Sequence, residues 1–364
     1  MRLKTIYFIA IVLTLGTWTH DATSQEYFIP FNHPEISYEG RVGIFENQAT
    51  EFYWSGTSVS INFEGTKVSA KMKEEFGGNY YDIFVDGTFQ KTIKPAAKLA
   101  SYVLASNLSN EKHSLEILKR TEYDRGKSWF YGFELGKNSK VLPKNSQKKH
   151  RIEYYGDSIT AGYSVDDYSG NDSPDSIHTN YTLSYANIIA QHFDAEQQCI
   201  CKSGIGITIS WFPAIMPEIW DRTNPLDQES EWNFSNYTPD LVIVNLFQND
   251  SWLINLPDHP SFKKFYGEKA PNENEVIEAY AKFVKAIRTK YPNAAIIATL
   301  GNMDITQEGS EWPGYIEEAV TSITDENIYT IFTPFKNTPG HPKVDEQKLI
   351  AENLIPFIEH IMGW

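Results

Sequence analysis

From residue 150 onward, apolar runs of strand length take turns with segments of helical period. PDLVIVNLFQND, NAAIIATLG and NIYTIFTPF each contain an apolar run. Between them, NENEVIEAYAKFVKAIRTKYP repeats apolar residues every three to four positions, with Asn272 placed to cap its start. A run of that length without alternation is a strand buried on both faces, and strands alternating with helices make a parallel sheet covered on both sides. RIEYYGDS and EQQCICKSG add two strands, and TNYTLSYANIIAQHF and VDEQKLIAENLIPFIEHIM two helices. Ligands of such sheets sit at the carboxyl ends of the strands.

Residues 26–138 have a different period. SVSINFEG, KVSAKMKEE, YYDIFVDG and HSLEILKR alternate or run apolar, and turn signals such as Glu64-Gly65, Gly77-Gly78 and Asp86-Gly87 bound them. Short strands at this spacing predict an all-β sandwich or jelly roll. The stretch GKNSKVLPKNSQKKH is polar and basic, and residues 139–150 are read as a linker ahead of an α/β domain over 151–364. Residues 1–25 open with two cations, continue with the apolar IYFIAIVLTLGTW and end in a small polar stretch. That is the layout of a signal peptide cleaved near Ala22–Gln25, which predicts a secreted or periplasmic protein. The run is short of the roughly 20 residues a membrane span needs, and no other segment qualifies, so no membrane association is expected beyond the signal peptide. With 32 basic against 47 acidic residues and a net charge of −15, the chain repels polyphosphate, and nucleic acid is excluded as a partner. The two cysteines, Cys199 and Cys201, are read as small buried hydrophobes, with no Cys/His metal cluster in the sequence.

Four polar blocks fall at the carboxyl ends of the expected parallel strands. Ser158 follows EYYGD, Gly206 closes KSGIG, Asn249 lies in FQND, and His341 lies in the loop before the last helix. Ser158 alone reads as a helix cap; beside a base its hydroxyl becomes a nucleophile. A neutral His341 would take that proton and later return it to a leaving group. For acyl transfer, the Gly206 backbone N–H and the Asn249 amide would complete an oxyanion hole. Read structurally, the same two are a turn residue and a loop cap. Trp211 and Trp252 follow the glycine and asparagine blocks and would offer flat rings to a sugar, unless they serve packing. Asp157 is read as support for the turn. Arg120 and Glu122 in LKRTE are read as a pair between strand and loop, worth only about 0–1 kcal/mol at a surface.

In the order Ser, Gly, Asn, His, the blocks GDSIT, SGIG, QND and GHP resemble those of the SGNH (GDSL-like) hydrolases. GRVGIFENQATEFYWSGTSVSINFEGTKV, YDIFVDG and HSLEILKRTEYDRGKSWFYGFEL resemble the β-sandwich domain of carbohydrate esterase family 2. The resemblance implies a jelly roll followed by a flavodoxin-like SGNH domain and a secreted esterase that removes O-acetyl groups from xylan or glucomannan. It implies Ser158 as nucleophile and His341 as base. It also implies Ser158 and Gly206 N–H groups with Asn249 as oxyanion donors, acetylated polysaccharide as the partner, and no cofactor or metal. Two other readings stay open, an esterase or lipase for another acyl group and a glycan-binding protein without catalysis. The sequence departs from the pattern twice. Phe247 stands where the third block usually has glycine. Pro339 and Thr338 stand where an acidic residue usually precedes the histidine, so His341 is held by a backbone carbonyl or by a carboxylate from elsewhere.

Overall fold

The computed structural model describes residues 27–364, and the expected signal peptide lies outside them. Twelve of the described strands form two antiparallel sheets. One runs in the order Val42–Phe45, Ala49–Phe52, Ser128–Leu135, Lys67–Glu74, Ala100–Ser106, with Tyr27–Pro30 also paired to Ser128–Leu135. The other runs Lys140–Leu142, Ser58–Glu64, Lys112–Lys119, Tyr81–Val85, Thr88–Ile93, with Ser37–Glu39 also on Ser58–Glu64. Alternation decides which side chains turn inward. Along Ser58–Glu64, Val59, Ile61 and Phe63 are buried while Ser60, Asn62 and Glu64 are not. The inward set shares a core with Phe52, Met72, Phe130 and Phe133. Part of the stretch read as a linker is strand: Val141 lies opposite Phe63 and packs against this core.

The α/β half is built on a five-stranded parallel sheet, in the order Ala195–Cys201, His150–Gly156, Leu241–Asn245, Ala295–Leu300, Ile328–Phe332. The first strand in sequence lies second in space, which is the flavodoxin-like order. Leu241–Asn245 is buried throughout, because Leu241 and Ile243 serve the core on one face and Val242 and Val244 the core on the other. Helix Glu273–Lys290 starts where a capping box predicts. The Asn272 side chain accepts from the Glu275 N–H at 3.1 Å, and the Glu275 carboxylate accepts from the Asn272 N–H at 2.7 Å. Cys199 and Cys201 are free, buried thiols on one face of an edge strand.

The sandwich and the α/β half share a core. Tyr53, Trp54 and Tyr123 of the sandwich pack in the same cluster as Tyr155, Trp220 and Phe283. At the centre of this contact is Arg41, which is fully buried. Its guanidinium donates to Glu153 at 2.8 Å, Tyr155 at 3.3 Å, Gln198 at 3.3 Å, and the carbonyls of Trp220 at 2.6 Å and Arg222 at 3.1 Å. The rings of Trp232 and Phe234 lie 5.1 and 5.5 Å from it. Glu153 is equally buried, so loss of the arginine strands a carboxylate in the interior. Arg41→Ala should therefore destabilise the protein by about 3–5 kcal/mol, measured as a lower urea midpoint with the slope unchanged.

Candidate active site

Strand His150–Gly156 ends in a residue that has to be glycine, since a Cβ on Gly156 would sit 2.0 Å from the Thr160 hydroxyl. The chain then turns sharply. The Asp157 carboxylate accepts from the Ile159 N–H at 3.0 Å and caps the one-turn helix Ser158–Ala161, so the cap is Asp157 and the Ser158 hydroxyl is free for other use. That hydroxyl lies 2.9 Å from His341 Nε2.

The other imidazole nitrogen is held by a carboxylate from another loop. Asp172 Oδ2 lies 2.5 Å from His341 Nδ1, and Asp172 Oδ1 accepts the His341 backbone N–H at 3.0 Å. Lys343 Nζ lies 3.3 Å from the same Oδ1. Partial burial would raise the Asp172 pKa, but the bonds from the His341 side chain and backbone, together with Lys343, outweigh it and hold the carboxyl well below the usual range. An ionised carboxylate can only accept. Nδ1 therefore carries the imidazole proton, and Nε2 turns its lone pair to the serine. This is the connectivity of a Ser-His-Asp triad, Ser158–His341–Asp172. Glycine is needed at 340, where φ is +73° and a Cβ would come 3.1 Å from the Asp172 carboxyl carbon.

Sequence reasoning did not find Asp172. It sits among four aspartates in VDDYSGNDSPDS, a loop with no hydrophobic period, and nothing local separates it from its neighbours. The loop is shaped from within and without. Asp167 accepts the Ser169 and Ser173 N–H groups at 2.9 and 2.7 Å, and Arg125 of the sandwich donates to the Pro174 carbonyl at 2.9 Å.

The glycine block is arranged differently from expectation. The Gly206 N–H donates to Ser210 Oγ at 2.9 Å, so it is already used. Position 206 is glycine for want of space: a Cβ would meet the Ile209 carbonyl at 2.0 Å and the Asp250 carboxylate at 2.3 Å. Asp250 in turn accepts from the Thr208 N–H and hydroxyl, both at 2.7 Å, and knits that turn together. Two residues earlier, Gly204 has φ +85° and accepts the Trp211 N–H at 2.9 Å on its carbonyl. Its own N–H has no acceptor among the described residues. Asn249, in the first turn of helix Gln248–Leu253, is fixed at both ends of its amide. Oδ1 accepts from Trp211 Nε1 at 3.0 Å, and Nδ2 donates to the Ile205 carbonyl at 2.8 Å, with its second hydrogen on the side of Asp157, 3.5 Å away. Trp211 thus orients the asparagine while leaving 43% of its surface exposed. Trp252 is partly buried against the core and donates Nε1 to Asp304 at 2.8 Å. Among the described residues, no group of three or more His, Cys, Asp or Glu side chains is gathered where it could hold a metal ion.

Residues 38–144 match the family described as Carbohydrate esterase 2 N-terminal. Cellulase/esterase CelE of Acetivibrio thermocellus is 30% identical over 347 residues, which are 92% of this chain and 40% of CelE. A Cellvibrio japonicus protein named acetylxylan esterase / glucomannan deacetylase is 25% identical across 95% of this chain and 94% of its own. The solved family two carbohydrate esterase from Clostridium thermocellum, in complex with cellohexaose, matches at 29% identity with a TM-score of 0.81 over 90% of this chain and 99% of that one. Residues 38–144 thus carry the N-terminal domain of carbohydrate esterase family 2, and the chain as a whole is similar to solved members of that family. It spans about 40% of the length of CelE.

Both departures from the pattern of family 2 and the wider SGNH group have a physical account. The backbone at Phe247 has φ +97°, a conformation glycine adopts freely and phenylalanine does not. The strain is offset by full burial of the ring, 4.8 Å from Tyr280 and 5.1 Å from Trp312. The acid missing before His341 is replaced across space by Asp172.

Beneath the serine lies a second carboxyl. Asp157 is fully buried, and burial pushes its pKa up to about 7, with the Ile159 N–H opposing the shift and Asp250 adding to it. The folded chain therefore binds this proton more tightly than the unfolded chain. The stability tied to it is complete below about pH 4 and is lost as pH rises through about 7. Asp157→Asn keeps an acceptor for the cap and removes the titration. The unfolding free energy of the wild type minus that of the variant should fall by a few kcal/mol, to order of magnitude, between about pH 4 and 7.5 in urea titrations. A difference that stays flat would mean the carboxyl is ionised throughout.

Proposed function

We propose that this protein is a secreted esterase that removes O-acetyl groups from polysaccharides of the xylan and glucomannan type, by way of an acetyl-enzyme on Ser158. The observation that carries this reading is the continuous chain from Ser158 Oγ through His341 to Asp172, at 2.9 and 2.5 Å. His341 Nε2 takes the hydroxyl proton as Oγ attacks the acetyl carbonyl, and Asp172 stabilises the imidazolium that forms. The tetrahedral oxyanion is met by the Ser158 N–H at the start of its helix, the Gly204 N–H and the second hydrogen of Asn249 Nδ2. His341 then gives the proton to the departing sugar oxygen. Water, deprotonated by the same nitrogen, attacks the acetyl-enzyme, and Ser158 regains its proton as acetate leaves.

The Cellvibrio japonicus relative's name and the cellohexaose in the Clostridium thermocellum structure support a glycan substrate. The exposed Trp211 ring, beside Asn249, is the proposed stacking surface for a sugar, with Trp252 further along the same helix as Asn249. Gly206 is dropped from the oxyanion donors, because its N–H is held by Ser210 at 2.9 Å, whereas the second Asn249 hydrogen has only a long 3.5 Å contact with Asp157 to give up. The reading of a binding protein without catalysis rested on a missing acid and on Phe247; Asp172 supplies an acid, and the Phe247 ring is seated in the core against Tyr280 and Trp312.

Wild-type protein should release acetate from acetylated xylan and glucomannan and prefer acetyl over octanoyl test esters. Ser158→Ala should abolish release with the thermal melt unchanged; turnover at the wild-type rate would remove Ser158 from the chemistry. Asp172→Asn should keep the fold and lower kcat by about 10²–10⁴-fold, read by the same acetate assay.

A further inference from the structure

The segment of residues 119–125 leaves the sandwich and crosses onto the α/β half. Its charged residues are buried, Lys119 at 0%, Arg120 at 6% and Glu122 at 1% exposure, which is expensive unless each is paired. Arg120 and Glu122 do not pair with each other across a surface, as the sequence suggested. Arg120 lies 3.6 Å from Asp82 and donates at 3.1 Å to Asp166 and at 2.9 Å to the Ile177 carbonyl. Glu122 accepts from both the backbone N–H and the hydroxyl of Ser203, the latter at 2.9 Å, with Lys202 Nζ 3.5 Å away.

Ser203 is the residue before Gly204. Its N–H and side chain are tied to Glu122, and the Gly204 carbonyl is tied to the Trp211 N–H at 2.9 Å. The peptide unit that presents the Gly204 N–H is therefore clamped on either side, and one of the two clamps comes from the other domain. Glu122 is itself braced from behind. The buried Lys119 ammonium donates to the carbonyls of Thr121 and Glu122 at 2.5 and 3.1 Å, which fixes the loop that aims the carboxylate. A lone negative charge near a developing oxyanion would oppose it. Lys202, shared between Glu122 at 3.5 Å and Asp124 at 3.1 Å, compensates that charge.

We propose that Glu122 of the sandwich is a positioning residue for the oxyanion hole, fixing the Gly204 N–H through Ser203. This rests on the proposed serine esterase mechanism. An oxyanion donor contributes only if it is aimed before charge develops, and losing one donor costs about 10²–10³ in rate. The carboxylate makes no contact with reacting groups and acts only through the turn.

The test measures phosphonylation of Ser158 by a fluorophosphonate: Ser158 Oγ displaces fluoride through a five-coordinate transition state whose phosphoryl oxygen needs the same donors but no acetylated glycan. It is run on the full chain as wild type, Glu122→Ala, Glu122→Gln and Ser203→Ala. Glu122→Ala should lose about 10²-fold in phosphonylation rate and in kcat per titrated site, with KM on acetylated xylan within threefold. Glu122→Gln, which keeps an acceptor, should recover at least tenfold of that, and Ser203→Ala should fall between wild type and Glu122→Ala. If Glu122→Ala does not fold, Glu122→Gln and Ser203→Ala still decide. Rates per titrated site within threefold of wild type in every folded variant would overturn the proposal. Wild type that is phosphonylated but releases no acetate would sink the deacetylase reading and leave Glu122 decided by the labelling rates. Wild type that is never phosphonylated at Ser158 would overturn both.

Discussion

A guanidinium removed from water must find acceptors, and Arg41, which belongs to the sandwich, finds all of its hydrogen-bond partners on the α/β half. A misplacement of one half against the other by a few ångströms would leave that cation and Glu153 buried and unpaired. The contact is therefore a registration device as well as a source of stability. The segment of residues 119–125 repeats the principle nearer the serine, with Arg120 and Arg125 on the loop that carries Asp172 and Glu122 on the turn that carries Gly204. The sandwich reaches the site through its backing and supplies none of the triad.

The charges around the serine follow one logic. Asp172 is kept ionised by the imidazole and Lys343, so the tautomer of His341 is set in the resting site. Asp157, one residue from the serine, is pushed the other way by burial. Two carboxyls within one site thus hold opposite protonation tendencies, each set by its surroundings. The proposed oxyanion donors are all neutral N–H groups.

How much of this could be read from the chain depended on whether a residue's reason was local. Alternation in SVSINFE and the unbroken apolar run of LVIVN declared their sheets, because side-chain direction along a strand is a matter of period alone. Asn272 declared a helix start for an equally local reason. Ser158 and His341 were visible because each follows a strand or precedes a helix in a recognisable block. Gly206 was misjudged because glycine can be required by crowding as well as by exposure of its N–H, and composition does not separate the two. Val141 was passed over because an edge strand of three residues carries too little pattern to stand out from a polar stretch. Asp172 was invisible for the strongest reason: its partner lies 169 residues away, and only the assembled fold brings the two loops together.

The separation of Asp172 from His341 along the chain has a consequence for inheritance. Where acid and imidazole occupy one short motif, a single stretch of sequence records whether both are present. Here the two can drift independently, so a scan that demands them side by side would classify this gene, and any descendant built the same way, as lacking the acid. An insertion or deletion between residues 164 and 180 would part Asp172 from His341 while every signature block stayed intact.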